Sequence, residues 1–297
     1  MRTIAPRHLA LIGSLQVILA SICWGTLGII ATRLHEFGFD SFGIAILRIV
    51  SAGVLILALL PKLLPTFANI SAKAWLGLIV QSLIGVLGMT LCYFYAVNRV
   101  GVSMAVALLY TAPVFSLILA RLILGEKISG KSALLAVIAV LGVACLMAGD
   151  TFQFNAGVVV GLLSGLCYSL YGILGKKAMS SAQSTHMVFF SSVIFSAIAL
   201  LFSPQTYQTY ATLWTLPVSA VFFAVGLSLV GTIIPFFLYM SALQKLPATT
   251  ASVFTIIEPL TAIVLAVFLL HQPLSMVQLI GTVLIIGATL ANALIRR

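Results

Sequence analysis

The chain has 297 residues, of which 62% are hydrophobic and only 7% are Asp, Glu, Lys or Arg. Soluble domains carry roughly 25% charged residues, so this composition excludes a cytosolic enzyme, a secreted disulfide scaffold and a disordered tail. A mean hydropathy of +1.24 indicates an integral membrane protein. The net charge of +10 does not indicate nucleic-acid binding, because the basic residues are scattered along the chain rather than clustered.

A helix that crosses a membrane needs about 20 mostly apolar residues. Ten such segments can be read along the chain, and the short loops between them leave no room for a folded domain. This pattern predicts an all-α integral membrane protein with ten transmembrane helices. The predicted spans are 9–31, 42–60, 75–97, 102–124, 132–148, 156–174, 187–202, 217–243, 248–270 and 275–294.

Basic residues are concentrated on one side of these spans. With the N-terminus in the cytoplasm, only Arg33 and Arg99 of the 15 Lys and Arg residues lie in outer loops, and Arg48 lies within a span. An excess of positive charge marks the cytoplasmic side of a membrane protein. The distribution therefore predicts that both termini are cytoplasmic. The residues on the inner side are Arg2, Arg7, Lys62, Lys73, Arg121, Lys127, Lys131, Lys176, Lys177, Lys245, Arg296 and Arg297.

The two halves of the sequence match each other. Displaced by 146 positions, residues 95–129 fall on residues 241–275 without a gap, and Pro113 meets Pro259. Matched prolines are more informative than matched apolar residues, which coincide easily by chance. The match predicts an internal duplication.

The duplication has a topological consequence. The first repeat covers 9–150 and the second covers 151–295, so that each contains five predicted spans. An odd number of spans makes the second repeat enter the membrane in the opposite orientation. Inverted repeats recur in transporters, with the substrate site near the midplane where the repeats meet. The sequence therefore predicts alternating access between two inverted halves.

Four segments resemble a known family: WGTLGII in the first span, LRIVSAG in the second, TAPVFSLILARLILGEKIS in the fourth and EPLTAIVLAVFLLHQPLS in the ninth. They are similar to the EamA-type drug/metabolite transporter superfamily over essentially the whole chain. The ending Gly-Glu-Lys-Ile-Ser is the more specific part. The second repeat departs from it, with His271-Gln272-Pro273 at the corresponding place. The resemblance implies a carrier of the bacterial inner membrane, often an exporter of amino acids or other small metabolites, although the family also contains importers.

Glu258 is the acidic residue deepest within a predicted span. An ionised carboxylate in hydrocarbon is costly, so Glu258 is expected to face a cavity or a partner. It could bind a substrate ammonium group or take up a coupling proton. It could instead form a fixed ion pair with Arg48, whose depth differs by roughly 8 Å at a helical rise of 1.5 Å per residue. Arg48 could also bind a substrate carboxylate, which would place a zwitterion between the two residues.

Pro113 and Pro259 lie close to the middle of their predicted spans. A proline inside a helix leaves the carbonyl four residues earlier without its hydrogen bond, here those of Leu109 and Thr255. These carbonyls could face a polar cavity or be satisfied by a neighbouring helix. The symmetric placement predicts hinges in either case.

Several aromatic residues lie inside the spans rather than at their ends. Trp24 and Tyr168 are related by the repeat, here at a displacement of 144 positions. They are expected to line a cavity, where they could stack on a substrate. Ordinary helix packing is the alternative for each of them. The other aromatic residues assigned to the candidate site are Tyr93, Tyr110 and Tyr239.

An intramembrane enzyme would need a nucleophile with a base, paired acids or a metal cluster. The sequence shows one glutamate within the spans and no histidine pair with metal-ligand spacing, and Glu126 is expected to pair with Lys127. A channel is a second alternative, although channels usually oligomerise around rings of charge or carbonyls. No phosphate-binding loop of the GxxxxGK[ST] type occurs, so neither ATP drive nor any cofactor or metal is expected.

The prediction is a secondary active transporter of the inner membrane for a small polar or amphipathic metabolite. An amino acid and export are the first guesses, and an importer or a facilitative uniporter of the same fold is the alternative. The expected partners are the lipid bilayer, the small-molecule substrate and, as candidate coupling ions, protons; nucleic acid is not expected. The oligomeric state stays open.

Overall fold

The computed structural model describes residues 7–58, 61, 67, 70–127, 129–146, 155–180, 184–270 and 275–294. Throughout these ranges the regular structure is helical, and they contain no strand. Helices satisfy every interior backbone hydrogen bond within one segment, which is what a lipid environment requires. The predicted all-helical class is confirmed.

The helices are named here in chain order. The first half contains α1 (Arg7–Gly25), α2 (Leu27–Glu36), α3 (Ser41–Leu57), α4 (Ala72–Val80), the π-helix π1 (Gln81–Gly88), α5 (Met89–Leu109), α6 (Ala112–Leu124) and α7 (Gly130–Leu146). The second half contains α8 (Ala156–Ser180), α9 (Thr185–Leu201), α10 (Pro204–Thr215), α11 (Val218–Ser228), the π-helix π2 (Leu229–Ile233), α12 (Ile234–Leu243), α13 (Ala248–Phe254), α14 (Ile257–Leu270) and α15 (Met276–Leu294).

Several helices are long and apolar enough to cross a membrane. In the described ranges there are four, or up to five if a pair bent by 92° at Phe202–Ser203 is counted as one span. Shorter apolar helices coincide with three further predicted spans. The structure is thus that of a multi-pass membrane protein, and the count of ten spans stays a prediction. The four long helices are His8–Glu36, Ala72–Val100, Ala156–Met179 and Val218–Leu243.

The outside of the helical bundle carries large apolar side chains. Leu122, Phe268 and Met276 each expose more than two thirds of their surface. A water-facing protein rarely displays such residues in quantity, whereas a lipid-facing surface consists of them. The buried core, in contrast, contains many small residues, including Ala20 and Ala52, which allow helices to approach closely.

The helices of the two halves are interleaved. In the first half α1 packs on α12 and α14, and in the second half α8 packs on α5 and α6. The helices α3 and α9 pack on each other, as do α7 and α15. One hydrophobic core, containing Val17, Trp24, Tyr171 and Phe236 among others, therefore joins both halves.

Two predicted spans are broken near their middle. The span 102–124 is interrupted between α5 and α6, and the span 248–270 between α13 and α14. Pro113 and Pro259 lie in the first turn after each break, where a helix tolerates proline. Their expected mid-helix position is therefore wrong. The expected orphan carbonyl at Thr255 is also wrong, because it accepts a hydrogen bond from the Glu258 backbone N–H at 3.0 Å.

The segment between the seventh and eighth predicted spans contains a helix that the apolar pattern does not reveal. This helix, α10, turns by 92° from α9, buries Thr206, Thr209 and Leu213, and exposes Trp214. The Tyr210 hydroxyl lies 2.6 Å from the Ser51 Oγ atom, so α10 is fixed to α3 of the first half.

Candidate functional site

Glu258 lies in the first turn of α14, directly after the break that follows α13. Its neighbour across the interface is the end of α1. A Cβ at Gly25 would lie 2.8 Å from the Glu258 carbonyl oxygen and 2.5 Å from the Cβ of Thr261. Only glycine permits so close an approach of the two backbones. The α1–α2 junction and the α13–α14 break therefore meet beside Glu258.

Arg48 approaches the same region from α3. Its side chain packs along π2, since a Cβ at Gly231 would lie 3.3 Å from the Arg48 Cδ atom. The Arg48 Nε atom is buried and has no hydrogen-bond partner in the protein. A buried N–H without a partner costs free energy, so this atom is a candidate donor to a ligand.

Arg48 and Glu258 do not form the fixed ion pair that was one of the two expectations. Within the described part of the chain, the ion pairs shorter than 4.0 Å are Arg33–Glu36 at 3.0 Å and Lys176–Glu126 at 3.1 Å. Both residues nevertheless lie beside the end of α1, because Glu258 packs against Gly25 and Arg48 packs against Gly231, whose carbonyl oxygen accepts from Trp24. The two groups are neighbours without a direct bond.

Two tyrosines of the first half complete the surroundings of Glu258. Tyr110 lies at the break between α5 and α6, is 2% exposed, and packs in one buried cluster with Ile256, at the break between α13 and α14. Its hydroxyl has no hydrogen-bond partner among the described residues. Tyr93 lies on α5, the helix that ends at this break. The structure thus brings Tyr110 of the first half to the break beside Glu258 of the second half.

Trp24 is the centre of an aromatic cluster next to these residues. Its ring lies 6.1 Å from Tyr168, 5.7 Å from Phe236 and 5.8 Å from Tyr239. The Trp24 Nε1–H donates to the Gly231 carbonyl oxygen at 3.1 Å, so its polar group is satisfied by the protein. These contacts show Trp24 as a packing residue, and its role as a cavity wall stays a prediction. Phe236, which sequence reasoning missed, could have been found only from this contact, because phenylalanine is common in apolar spans.

Tyr168 and Tyr239 differ from Trp24 in their hydrogen bonding. The Tyr168 hydroxyl is buried and has no hydrogen-bond partner among the described residues. Tyr239 stacks on Tyr171 with ring centroids 5.8 Å apart, and the Tyr171 hydroxyl is also without a partner. Of the aromatic residues named from the sequence, Trp24, Tyr168 and Tyr239 lie in this cluster, and Tyr110 lies at the break between α5 and α6.

A polar seam between π1 and α9 was missed by sequence reasoning. The Ser192 Oγ donates to the Gln81 Oε1 at 2.9 Å, and the Ser82 Oγ donates to the Ser191 carbonyl oxygen at 2.7 Å. Gln81 is fully buried, and its Nε2 amide has no partner. The signal that could have found it is an amide side chain inside an otherwise apolar span.

Seven buried side-chain atoms of the described residues have no hydrogen-bond partner, and all of them can donate a hydrogen bond, although the hydroxyls can also accept one. They are Arg48 Nε, Gln81 Nε2, Tyr110 Oη, Tyr168 Oη, Tyr171 Oη, Thr232 Oγ1 and Thr250 Oγ1. A buried donor without a partner costs free energy, so Arg48, Tyr110 and Tyr168 are candidate donors to a ligand that carries acceptor oxygens. In the described ranges, no group of three His, Cys, Asp or Glu residues lies close enough to hold a metal ion.

A helical, multi-pass fold with a polar site where its two halves meet defines a class of membrane protein that handles polar molecules within the bilayer. The chain belongs to the EamA-like transporter family, whose model matches residues 11–148 and again residues 155–294. The two matches fall on the two halves of the chain.

Related proteins that match along nearly their whole length are named transporters. The chain is 27% identical over 278 residues to a protein of Archaeoglobus fulgidus named an uncharacterized transporter, covering 94% of this chain and 95% of that protein. It is 25% identical to a protein of Rickettsia prowazekii named an S-adenosylmethionine uptake transporter, covering 93% of each. These names indicate a transporter rather than an enzyme.

A protein of known crystal structure has the same fold. It superimposes with a TM-score of 0.77 at 19% sequence identity and covers 96% of this chain and 97% of the other. The likeness concerns the fold alone.

Proposed function

We propose that this protein is a secondary active transporter that carries a small polar metabolite by alternating access between two inverted halves of five spans. The observation that carries the proposal is that helix breaks from both halves, at Tyr110 and at Glu258, lie in the same part of the interface as the buried Arg48 of α3. Charged groups inside a membrane usually mark a substrate or ion pathway. Broken helices free backbone groups beside such a pathway.

Contacts that recur between the halves support the inversion. Gly85 of π1 packs against Tyr171 of α8, and a Cβ there would lie 2.7 Å from the Tyr171 Cα. Gly231 of π2 packs against Leu27 of α2 in the same way, at 2.5 Å from its Cδ2. Gly231 is the repeat equivalent of Gly85 at 146 positions, and Tyr171 is that of Leu27 at 144 positions. Such an exchange of contacts is expected when two equivalent halves are related by a two-fold axis.

The helix boundaries also repeat. Helix α3 begins after Asp40, whose Oδ1 accepts from the Gly43 N–H at 2.7 Å, and α9 begins after Ser184, whose Oγ accepts from the Met187 N–H at 3.1 Å. Both π-helices fall in the third span of their half, and both breaks fall in the fourth. These coincidences support the repeats at 9–150 and 151–295.

The site chemistry favours a zwitterionic substrate, and an amino acid is our first candidate. The Glu258 carboxylate suits an ammonium group. The Arg48 guanidinium and the tyrosine hydroxyls suit a carboxylate, because they are donors. S-Adenosylmethionine, which gives the Rickettsia prowazekii relative its name, carries an α-amino acid group and is the second candidate.

The proposal includes the direction of transport and its coupling to protons. Export is our first expectation and import is the alternative, which is supported by the word "uptake" in the name of that relative. Proton coupling would use Glu258, the one acidic residue placed within a predicted span. We place the protein in a bacterial inner membrane with both termini in the cytoplasm, on the distribution of its basic residues.

The test is thermal stabilisation of the purified protein by a panel of amino acids and by S-adenosylmethionine. A ligand that binds the folded state raises the Tm by mass action. We expect at least one amino acid or S-adenosylmethionine to raise the Tm of the wild type and to lose this effect in Glu258→Gln. The ligand found should then exchange across proteoliposomes that contain the wild type. Stabilisation by none of these compounds would contradict the proposed substrate class, and binding without exchange would contradict the transporter.

A further inference from the structure

Glu126 follows α6 at a tight turn. Gly125 ends the helix in the left-handed region with φ 62°, and the Glu126 N–H then bonds back to the Ala120 carbonyl oxygen at 3.0 Å. Glycine adopts this conformation without the clash that a Cβ would cause. Glu126 is 7% exposed, so the turn directs a carboxylate into the protein rather than toward solvent.

The carboxylate of Glu126 contacts three residues of the other half of the chain. Its Oε1 lies 3.1 Å from the Nζ of Lys176, near the end of α8, and accepts from the Ala248 N–H at 3.2 Å. Its Oε2 accepts from the Thr249 hydroxyl at 3.4 Å. The expected pairing of Glu126 with Lys127 is therefore wrong. One carboxylate joins the end of α6 to two separate segments of the second half.

The segment between α12 and α13 makes further contacts with α8 and α1. Lys176 also donates to the Leu246 carbonyl oxygen in this segment. Gly13 of α1 lies against Leu246, and a Cβ there would be 2.8 Å from the Leu246 Cγ. The Lys245 Nζ donates to the Gln16 Oε1 at 3.0 Å. The segment is thus bonded to α6 through Glu126 and to α1 through Gln16.

The repeat does not provide a second connection of this kind. The repeat equivalent of Glu126 is Gln272, which lies outside the described residues, and that of Lys176 is Thr32. Thr32 is exposed and its hydroxyl donates within its own helix, to the Gly28 carbonyl oxygen at 2.9 Å. Because Gln272 and Thr32 are neutral, an ion pair can form at this place in one repeat orientation and not in the other.

We propose that Glu126 and Lys176 form an ionic latch that holds the two halves together at one end of the pathway and opens once in each transport cycle. The inference rests on the proposed alternating access. Glu126, Lys176 and Lys245 all lie on the side that the basic residues mark as cytoplasmic, so the latch closes the inner end. The pair is partly buried and the Glu126 carboxylate accepts two further hydrogen bonds, so removal of one partner leaves the other charge poorly solvated and weakens the connection.

The test measures the accessibility of a residue behind the latch. Thr250, next to Thr249, is 3% exposed and becomes the reporter as Thr250→Cys in a chain whose Cys23, Cys92, Cys145 and Cys167 are replaced by alanine. We expect Glu126→Gln and Lys176→Gln to accelerate alkylation of this cysteine by a charged maleimide at least about five-fold, the lower range of coupling in switching elements. Lys176→Arg, which keeps the charge, should leave the rate near that of the parent.

Two controls separate release of the latch from general unfolding. Glu36→Gln removes the exposed ion pair with Arg33 and should not change the rate. A second reporter, Ser196→Cys, is fully buried in α9 and should stay unreactive in Glu126→Gln. Unchanged alkylation at position 250, or an equal rise at position 196, would overturn the latch.

If the Thr250→Cys protein without its native cysteines does not fold, a second measurement tests the latch without engineered cysteines. Amide hydrogen exchange of α13 should be faster in Glu126→Gln than in the wild type, with exchange of α9 unchanged; equal exchange of α13 would overturn the latch. Neither experiment needs a substrate. If Glu126→Gln speeds alkylation at position 250 but the protein exchanges no substrate, the proposed transport is contradicted and the ion-pair connection is supported. If the protein exchanges substrate but Glu126→Gln leaves the alkylation rate unchanged, only the latch is contradicted.

Discussion

Trp24 and Tyr168 occupy equivalent positions in the two halves of the sequence, and their rings meet edge to face with centroids 6.1 Å apart. Under the inversion proposed above, a two-fold axis relates these two residues, and residues so related touch each other only when both lie close to the axis. The contact would then lie at the centre of the interface between the halves. Their polar groups differ, since the Trp24 N–H is bonded and the Tyr168 hydroxyl is not.

This difference predicts opposite effects of two conservative substitutions. Trp24→Phe removes the hydrogen bond to the Gly231 carbonyl and should lower the free energy of unfolding by about 1–3 kcal/mol. Tyr168→Phe removes a hydroxyl without a partner and should leave the Tm unchanged or raise it, while it weakens stabilisation by the ligand. Thermal unfolding with and without ligand measures both effects. A larger loss of stability in Tyr168→Phe would contradict the assigned hydrogen bonding.

The roles of Glu258 and Arg48 can be separated with truncated ligands. If Glu258 binds the ammonium group, Glu258→Gln should weaken binding of an amine that lacks the carboxylate about ten-fold or more, and binding of the matching acid much less. Arg48→Gln should show the reverse pattern. Titration of the amine and the acid against both variants checks this, and an identical pattern in the two variants would exclude a zwitterion bound between them.

Substitution of two glycines tests the close contacts between the halves. Gly85→Ala places a methyl group 2.7 Å from the Tyr171 backbone, which cannot move away, and should destabilise the protein by about 1–3 kcal/mol. Gly231→Ala meets the end of the flexible Leu27 side chain and should cost less. Gly77→Ala and Gly226→Ala are matched controls, because nothing lies within 4 Å of either added methyl group. Equal effects at all four positions would contradict the packing described here.

Pro113 and Pro259 are proposed as hinges. Both lie in the first turn of a helix, where alanine is tolerated, so Pro113→Ala and Pro259→Ala should change the Tm little. They should slow exchange of the ligand across proteoliposomes more than they weaken its binding, because they allow the broken spans to become continuous. Equal loss of binding and exchange would argue against hinges.

The orientation in the membrane is tested by labelling from each side. In a chain without other cysteines, Ser129→Cys and Lys177→Cys should react with an impermeant maleimide only from the cytoplasmic side, and Gln205→Cys only from outside. The opposite result would reverse the orientation, and reaction of Ser129→Cys and Lys177→Cys from different sides would contradict the order of the spans.

Much of the fold could be read from the sequence. Apolar runs of the right length predicted the helices, because a lipid environment leaves the backbone few other choices. Glycine and proline matches at a near-constant separation predicted the duplication. The helix α10 was missed, because a helix of polar and aromatic residues gives no apolar run.

The site could be predicted only in part. Polar residues inside apolar spans stood out, so Glu258, Arg48 and Tyr110 were named as candidates, and Gln81 could have been. Their contacts could not be predicted, because hydropathy does not distinguish the face of a span that meets lipid from the face that meets another helix.

The sequence by itself determined that this protein lies in a membrane, that it is helical and that its halves resemble each other, since composition and spacing are properties of the chain alone. Only the tertiary structure decided that Arg48 and Glu258 are neighbours without a bond, that Glu126 pairs with Lys176 rather than with Lys127, and that Trp24 and Tyr168 touch. The physical reason is that these relationships depend on the rotation of each helix about its own axis, which close packing at positions such as Gly25 and Gly85 fixes between residues far apart in the sequence.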